Sequence, residues 1–142
     1  MKDLNDYKMS MKKVWKDIDF FQVKLLLKNS DIQLNLKLYT DNEELYELQR
    51  GIKIFIEKLG KDDYYWCTGS LEATHFLSLR FYLIDVLGRI AIEVNVNNNL
   101  EIPEQIKAQF YLTTEFNQLD YMILELERFI KEEQDEWKGL IL

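Results

Sequence analysis

DIQLNLKLYTDNEELYELQRGIKIFIEKLG, residues 31–60, changes its period in the middle. In its first third Ile32, Leu34, Leu36 and Leu38 alternate with Gln33, Asn35 and Lys37. Successive strand side chains point to opposite faces, so this segment predicts a strand with one apolar and one wet face. The spacing then becomes three and four. Leu45, Leu48, Ile52, Phe55, Ile56 and Leu59 form one stripe of a helix. Thr40 or Asp41 is placed to accept from its first free amides, with Glu43 or Glu44 three residues on, as in a capping box. Gly60 is expected to close the helix in the left-handed conformation. A strand running into an amphipathic helix, each with one face to bury, predicts an α+β chain.

Outward from this stretch the same two periods recur. Upstream, Phe21, Val23 and Leu25 alternate with Gln22 and Lys24, and the turn-like Asn29-Ser30-Asp31 predicts a hairpin. Downstream, Tyr64-Tyr65-Trp66-Cys67 reads as a short strand. Leu77, Leu79, Phe81 and Leu83 alternate with Phe76, Ser78, Arg80 and Tyr82. Ile90, Ile92, Val94 and Val96 alternate with Ala91, Glu93 and Asn95, and Ala108, Phe110 and Leu112 with Gln109, Tyr111 and Thr113. These runs predict an antiparallel meander. Phe116, Leu119, Met122, Ile123, Leu126, Phe129 and Ile130 make a second helical stripe, with Thr114 or Asn117 as its cap.

The expected fold is a two-layer α+β sandwich, an antiparallel sheet of five to six strands with two helices packed on one face. A single domain spans residues 1–142, with 1–19 as an N-terminal extension and 133–142 as an acidic, then apolar, tail. In that tail Trp137, Leu140, Ile141 and Leu142 either fold back or meet a partner. The sheet face opposite the helices would present Gln33, Asn35, Lys37, Ser78, Arg80, Glu93, Asn95, Gln109, Tyr111 and Thr113.

Composition narrows the function classes. With 47% hydrophobic and 30% charged residues the chain can build a core and stay in solution. One Cys and one His exclude a disulfide framework, a Cys-rich zinc site and any two-imidazole mechanism. The start, MKDLNDYKMSMKKVWKDIDF, lacks a signal-peptide apolar centre, and no apolar run approaches the roughly 20 residues that span a bilayer. A cytoplasmic protein with no membrane partner is expected. The net charge of −7 is uneven, +3 over residues 1–40 and −5 over 115–142. So acidic a second half is repelled by phosphate backbones and argues against a nucleic-acid partner. It would steer a basic protein toward itself, although an acidic surface also serves solubility alone.

Candidate chemistry is sparse. Cys67 and His75, eight residues apart, would be a nucleophile and base, with Glu72 as the group orienting the imidazole. Nothing local activates the thiol, and packing beside Tyr64, Tyr65 and Trp66 accounts for it equally. Glu43, Glu44 and Glu47 share one exposed helical turn instead of converging on a pocket. The glycines at 51, 60, 69, 88 and 139 are too scattered for a phosphate loop. No catalytic residue, metal or cofactor is therefore expected, and the chain is not expected to be an enzyme. Lys8, Lys12, Lys13 and Lys16 with Trp15 read as an RNA contact, a peripheral helix, a first strand or a solvated arm. Tyr64 and Trp66 beside Asp62 and Asp63 mix rings and acids in the manner of protein interfaces, with core burial as the competing reading of the rings.

The order of these elements resembles a known family. The strand-rich start, the helix over 42–59 ending near Trp66, Phe76-Leu77-Ser78-Leu79-Arg80, Gly88-Arg89-Ile90-Ala91-Ile92-Glu93-Val94, and the run from Phe110 to Leu119 look like the WapI-like bacterial immunity proteins. The likeness covers most of residues 20–132 and lies in layout and hydrophobic spacing. It implies a non-catalytic inhibitor that binds the toxic C-terminal domain of a cognate bacterial toxin, often a nuclease. The family supplies no motif of contact residues.

Together these readings predict occlusion of a basic toxin site by acids of this chain. The expected contacts are Glu43, Glu44 and Glu47 on the first helix, and Asp62, Asp63, Tyr64 and Trp66 at the helix-to-strand joint. Glu132, Glu133, Asp135 and Glu136 in the tail complete the set. Two competitors are a small-ligand-binding module using the polar sheet face and a homodimer joined through Trp137, Leu140, Ile141 and Leu142.

Overall fold

The computed structural model describes residues 7–69 and 75–140. Three strands open the chain: β1 (Lys8–Lys16), β2 (Phe21–Lys28) and β3 (Gln33–Thr40). Helix α1 (Asn42–Glu57) follows, then β4 (Tyr64–Gly69), β5 (Phe76–Leu83), β6 (Arg89–Asn97) and β7 (Lys107–Glu115). Helix α2 (Phe116–Ile130) and a last strand, β8 (Glu136–Leu140), complete it. Each alternating run read in the sequence contains one of these strands, with Phe21, Val23, Leu25 and Leu27 inward on β2 and Ile90, Ile92, Val94 and Val96 inward on β6. Ile32, expected on the inward face, instead precedes β3 and is 44% exposed, because pairing with β2 begins only at Gln33.

The single sheet of five to six strands is not what forms. Eight strands divide into two four-stranded antiparallel sheets, ordered β3-β2-β1-β8 and β4-β5-β6-β7. The additional strands come from the two ends. Residues 8–16, expected as an extension, form β1 between β2 and β8, with Met9 and Met11 fully buried. Of the four readings of this lysine-rich segment, the first strand is the one the structure contains. The tail returns as β8 against β1, and Trp137 is fully buried with its indole N–H donating to the Met122 carbonyl at 3.2 Å. Trp137 and Leu140 are thus used in the chain's own core; Ile141, Leu142 and Glu72 lie outside the described residues.

Local pairing stops at α1, so β3 and β4 end as the edges of separate sheets. One hydrophobic cluster joins both sheets and both helices. Phe55 of α1 lies 6.3 Å from Phe81 of β5 and 6.1 Å from Phe116 of α2, while Phe129 of α2 meets Phe21 of β2 at 6.2 Å. The expected wet face is divided accordingly, with Gln33, Asn35 and Lys37 on the first sheet and the other seven on the second. There Ser78, between Cys67 of β4 and Asn95 of β6, is buried instead of presented to solvent.

The ends of α1 follow the expectation, with one added detail, and the start of α2 departs from it. Asp41 caps α1 by accepting from the Glu44 amide at 2.8 Å. At the other end Gly60 takes a left-handed φ of 74° as expected, Leu59 before it also does (φ 55°), and the Gly60 amide reaches back to Phe55 at 2.9 Å. That six-to-one bond makes Leu59 the first left-handed residue and puts the glycine one step beyond it. Helix α2 begins at Glu115 with no side-chain cap, because Thr114 occupies an inward position of β7 and is buried.

Candidate groove between the first helix and the fourth strand

The spacing of α1 produces two useful faces. Leu45, Leu48, Ile52 and Phe55 enter the core, which turns Glu47, Gly51, Ile54 and Lys58 into a second stripe at spacings of four, three and four. That stripe lies along β4, and the two enclose a cavity of about 500 Å³ lined also by Arg50, Asp62, Asp63, Tyr64, Tyr65, Trp66 and Cys67. Among the residues expected from the sequence, Glu47, Asp62, Asp63, Tyr64 and Trp66 are brought together here.

Tyr64 forms the floor. Its ring crosses Gly51 so closely that a Cβ there would stand 1.9 Å from the ring. Its hydroxyl donates to the Glu47 carbonyl at 2.8 Å, and its ring lies 5.8 Å from that of Phe81. Burial, then the Glu47 charge, pushes the hydroxyl up to about 12. Trp66 is buried and donates to the Glu44 carbonyl at 2.8 Å. Its contribution is to brace the groove, since its ring is not offered to a partner. Ile54 (44% exposed) and Tyr65 (58%) are the apolar groups that face solvent.

The acids are used in different ways. Glu44 turns inward, where the hydroxyls of Thr40 and Thr68 donate to its carboxylate. Burial holds it above the ordinary carboxylate range, and the two hydroxyls oppose that shift. Asp62 pairs with Lys58 at 3.2 Å and Asp63 with Arg80 at 3.1 Å. Glu43 and Glu47 are exposed and enter no ion pair among the described residues.

The tail acids form a separate site. Glu132 pairs with Lys16, whose ammonium holds its carboxyl below the usual range. Together with Glu133 and Asp135 it lines a cavity of about 480 Å³ that also holds Lys13 and Lys16. Lys13 sits 4.6 Å from the ring of Phe21 and 4.7 Å from that of Phe129, and it donates to the Phe129 carbonyl at 3.3 Å. Glu136 lies 3.7 Å from Lys138. Lysines therefore offset much of the acidity expected of this surface.

On the outward face of the second sheet, Tyr65, Arg80, Glu93 and Tyr111 stand in one cross-strand row. Arg80 reaches Glu93 at 3.2 Å, and the Tyr111 hydroxyl donates to the same carboxylate at 3.3 Å. Beside them Phe76, Ser78, Asn95, Lys107 and Gln109 line a cavity of about 580 Å³.

Cys67 is exposed, and the ladder seats it opposite Ser78. That is three residues, or roughly 10 Å of strand, from His75, beyond the reach of a hydrogen bond. Burial holds the imidazole pKa below its ordinary value. Among the described residues no three His, Cys, Asp or Glu side chains converge as a metal site, and no helix is long and apolar enough to cross a membrane.

Sequence reasoning missed Arg50, Gly51, Ile54 and Lys58. Their signal was the second stripe on α1, legible as spacing but without an apolar signature to mark it. No protein-family model, curated protein or solved structure matches the chain.

Proposed function

We propose that this chain is a non-catalytic binding protein of the WapI-like immunity type, which neutralises a toxin domain by covering a basic site on it. The observation that supports this reading is the groove between α1 and β4, where the exposed ring of Tyr65 stands in one cavity with Glu47, an acid in no ion pair among the described residues. Glu47 lines it, Glu43 is exposed one helical turn earlier on α1, and these are the side chains with which Lys or Arg of a partner would pair. Complementary charge of this kind raises association rate more than it lowers dissociation rate.

Capture of a basic toxin domain from the source cells, in equal stoichiometry and released by salt, tests the reading. With that partner, Glu43→Lys with Glu47→Lys slows association by about tenfold and flattens its salt dependence. Glu132→Lys with Glu133→Lys has a smaller effect, because Lys13 and Lys16 already offset these acids. Recovery of the chain alone removes the central requirement of the reading.

A second reading is favoured by the cavity on the second sheet, whose Asn95, Gln109 and Lys107 would hydrogen-bond a small polar ligand. A ligand-dependent rise in melting temperature, lost in Asn95→Leu, is its test.

A further inference from the structure

An edge strand presents unpaired amides and carbonyls, and natural sheets blunt that edge with lysine, proline, a bulge or a covering element. Three of the four sheet edges here carry a lysine: Lys37 on β3, Lys107 on β7 and Lys138 on β8. The fourth, β4, reads Tyr-Tyr-Trp-Cys-Thr-Gly, with no charge and no proline. Its register with β5 runs from Tyr64 to Gly69 without a bulge.

Among the described residues strand β4 pairs on one side only. In an antiparallel ladder alternate residues aim their N–H and C=O groups at the neighbour, so the residues between them aim theirs outward. Among the described residues no backbone hydrogen bond from outside the ladder meets Tyr64–Cys67. At Thr68 the side chain reaches the first sheet, its hydroxyl 2.9 Å from that of Thr40 on β3.

The groove follows this free edge. Tyr64 and Trp66 from the inner face and Tyr65 and Cys67 from the outer face all line it, as they must if it runs along the edge itself. Its other wall is the α1 stripe from Glu47 to Lys58. Eleven helical rises span about 16 Å and the four strand rises over residues 63–67 about 13 Å, so the two walls are of similar length.

We propose that this groove receives an extended segment of a partner protein, which adds to β4 as a fifth strand of the second sheet. The inference rests on the partner-binding reading above and specifies the form the partner takes. The free backbone edge selects a strand, and the length of the two walls selects about four to five residues. Ile54, Tyr64 and Tyr65 select apolar side chains on it. Glu47 and Arg50, neither in an ion pair among the described residues, select a Lys or Arg and an acid on the same segment. Main-chain hydrogen bonds would supply affinity and the flanking side chains specificity.

The test is selection of a displayed library of ten-residue peptides on the intact chain, followed by synthesis of the enriched sequences. The expected peptides alternate apolar and charged residues. At saturation they slow alkylation of Cys67 by iodoacetamide at least fivefold. N-methylation at every second peptide residue weakens binding tenfold or more, and at the intervening residues it does not. Ile54→Glu, at an exposed helix position, abolishes binding without lowering the melting temperature, whereas Tyr111→Ala on β7 leaves binding unchanged.

Peptides that bind at the groove without the alternating N-methyl effect would overturn strand addition and leave partner binding intact. Failure of any peptide to enrich would also overturn it, with the captured toxin domain then deciding the broader reading separately. Binding that appears only after removal of residues 1–6 would assign the groove to the chain's own start. Self-association abolished by Ile54→Glu would assign it to a second copy. Either result would refute the proposal.

Discussion

Gly51→Ala sets two opposing effects against each other at one residue. Glycine in a helix interior is less favourable than alanine by about 1 kcal/mol, so propensity predicts stabilisation. The structure predicts the opposite sign. A Cβ at this position would stand 1.9 Å from Tyr64 Cζ, and the ring must leave. Its departure forfeits the hydrogen bond to the Glu47 carbonyl, about 1 kcal/mol net, and the stack on Phe81, also about 1 kcal/mol. Exposure of part of the ring costs roughly another 1 kcal/mol. After subtraction of the propensity gain the variant is destabilised by about 2 kcal/mol, a fall in Tm of roughly 6–10 °C for a chain of this size. Urea unfolding of Gly51→Ala, Tyr64→Ala and the double variant measures it. In the Tyr64→Ala background the obstructing ring is gone, so Gly51→Ala should stabilise by about 1 kcal/mol. The same stabilisation in the wild-type background would refute the placement of Tyr64 across Gly51, and with it the floor of the groove.

Other outcomes follow from the same geometry. Asp41→Ala removes the acceptor for the Glu44 amide and lowers stability by about 1 kcal/mol in urea titration, while Asp41→Asn largely preserves it. Leu59→Gly relieves a left-handed conformation at an exposed residue and raises stability by up to about 1 kcal/mol, the unfolded chain's greater freedom offsetting part of the gain. A loss on that substitution would show that the Leu59 side chain packs. Burial raises the Glu44 pKa, so the native state keeps a proton that the unfolded chain has released. The stabilisation tied to that proton is fully present below the unfolded value near 4.5 and is lost as pH rises through the native value. Glu44→Gln therefore flattens the stability profile above pH 4.5, and an unchanged profile in paired denaturant titrations would refute the inward placement of this carboxylate.

Sequence and structure divide according to the range of the interactions involved. Alternation at Phe21–Leu27, Leu77–Phe81 and Ile90–Val96, and the three-and-four spacing of Leu45–Phe55, each have a single local solution. Strands, helices and their buried faces were therefore legible residue by residue. The run Asp62-Asp63-Tyr64 was legible as a local mixture of acids and a ring, whereas its meeting with Glu47 in one groove was not, because that depends on how α1 lies along β4. By contrast, β1 and β8 were not legible. Met9-Ser10-Met11 lies among lysines, and five residues ending the described chain carry too little pattern to separate a strand from a tail. The fate of individual charges was equally hidden: Glu132 faces Lys16 across 116 positions of sequence, a distance that no local pattern encodes.

The sequence by itself therefore determined the α+β class, the inward face of nearly every element and the acidity of the helix-to-strand joint, since each depends on side-chain period within one segment. Tertiary structure alone decided that there are two sheets, that the chain's first and last strands pair, and that β4 lies unprotected beside a stripe of α1. Those outcomes depend on which edges meet after the core has closed, when burial of the apolar faces selects among pairings that every strand could make locally.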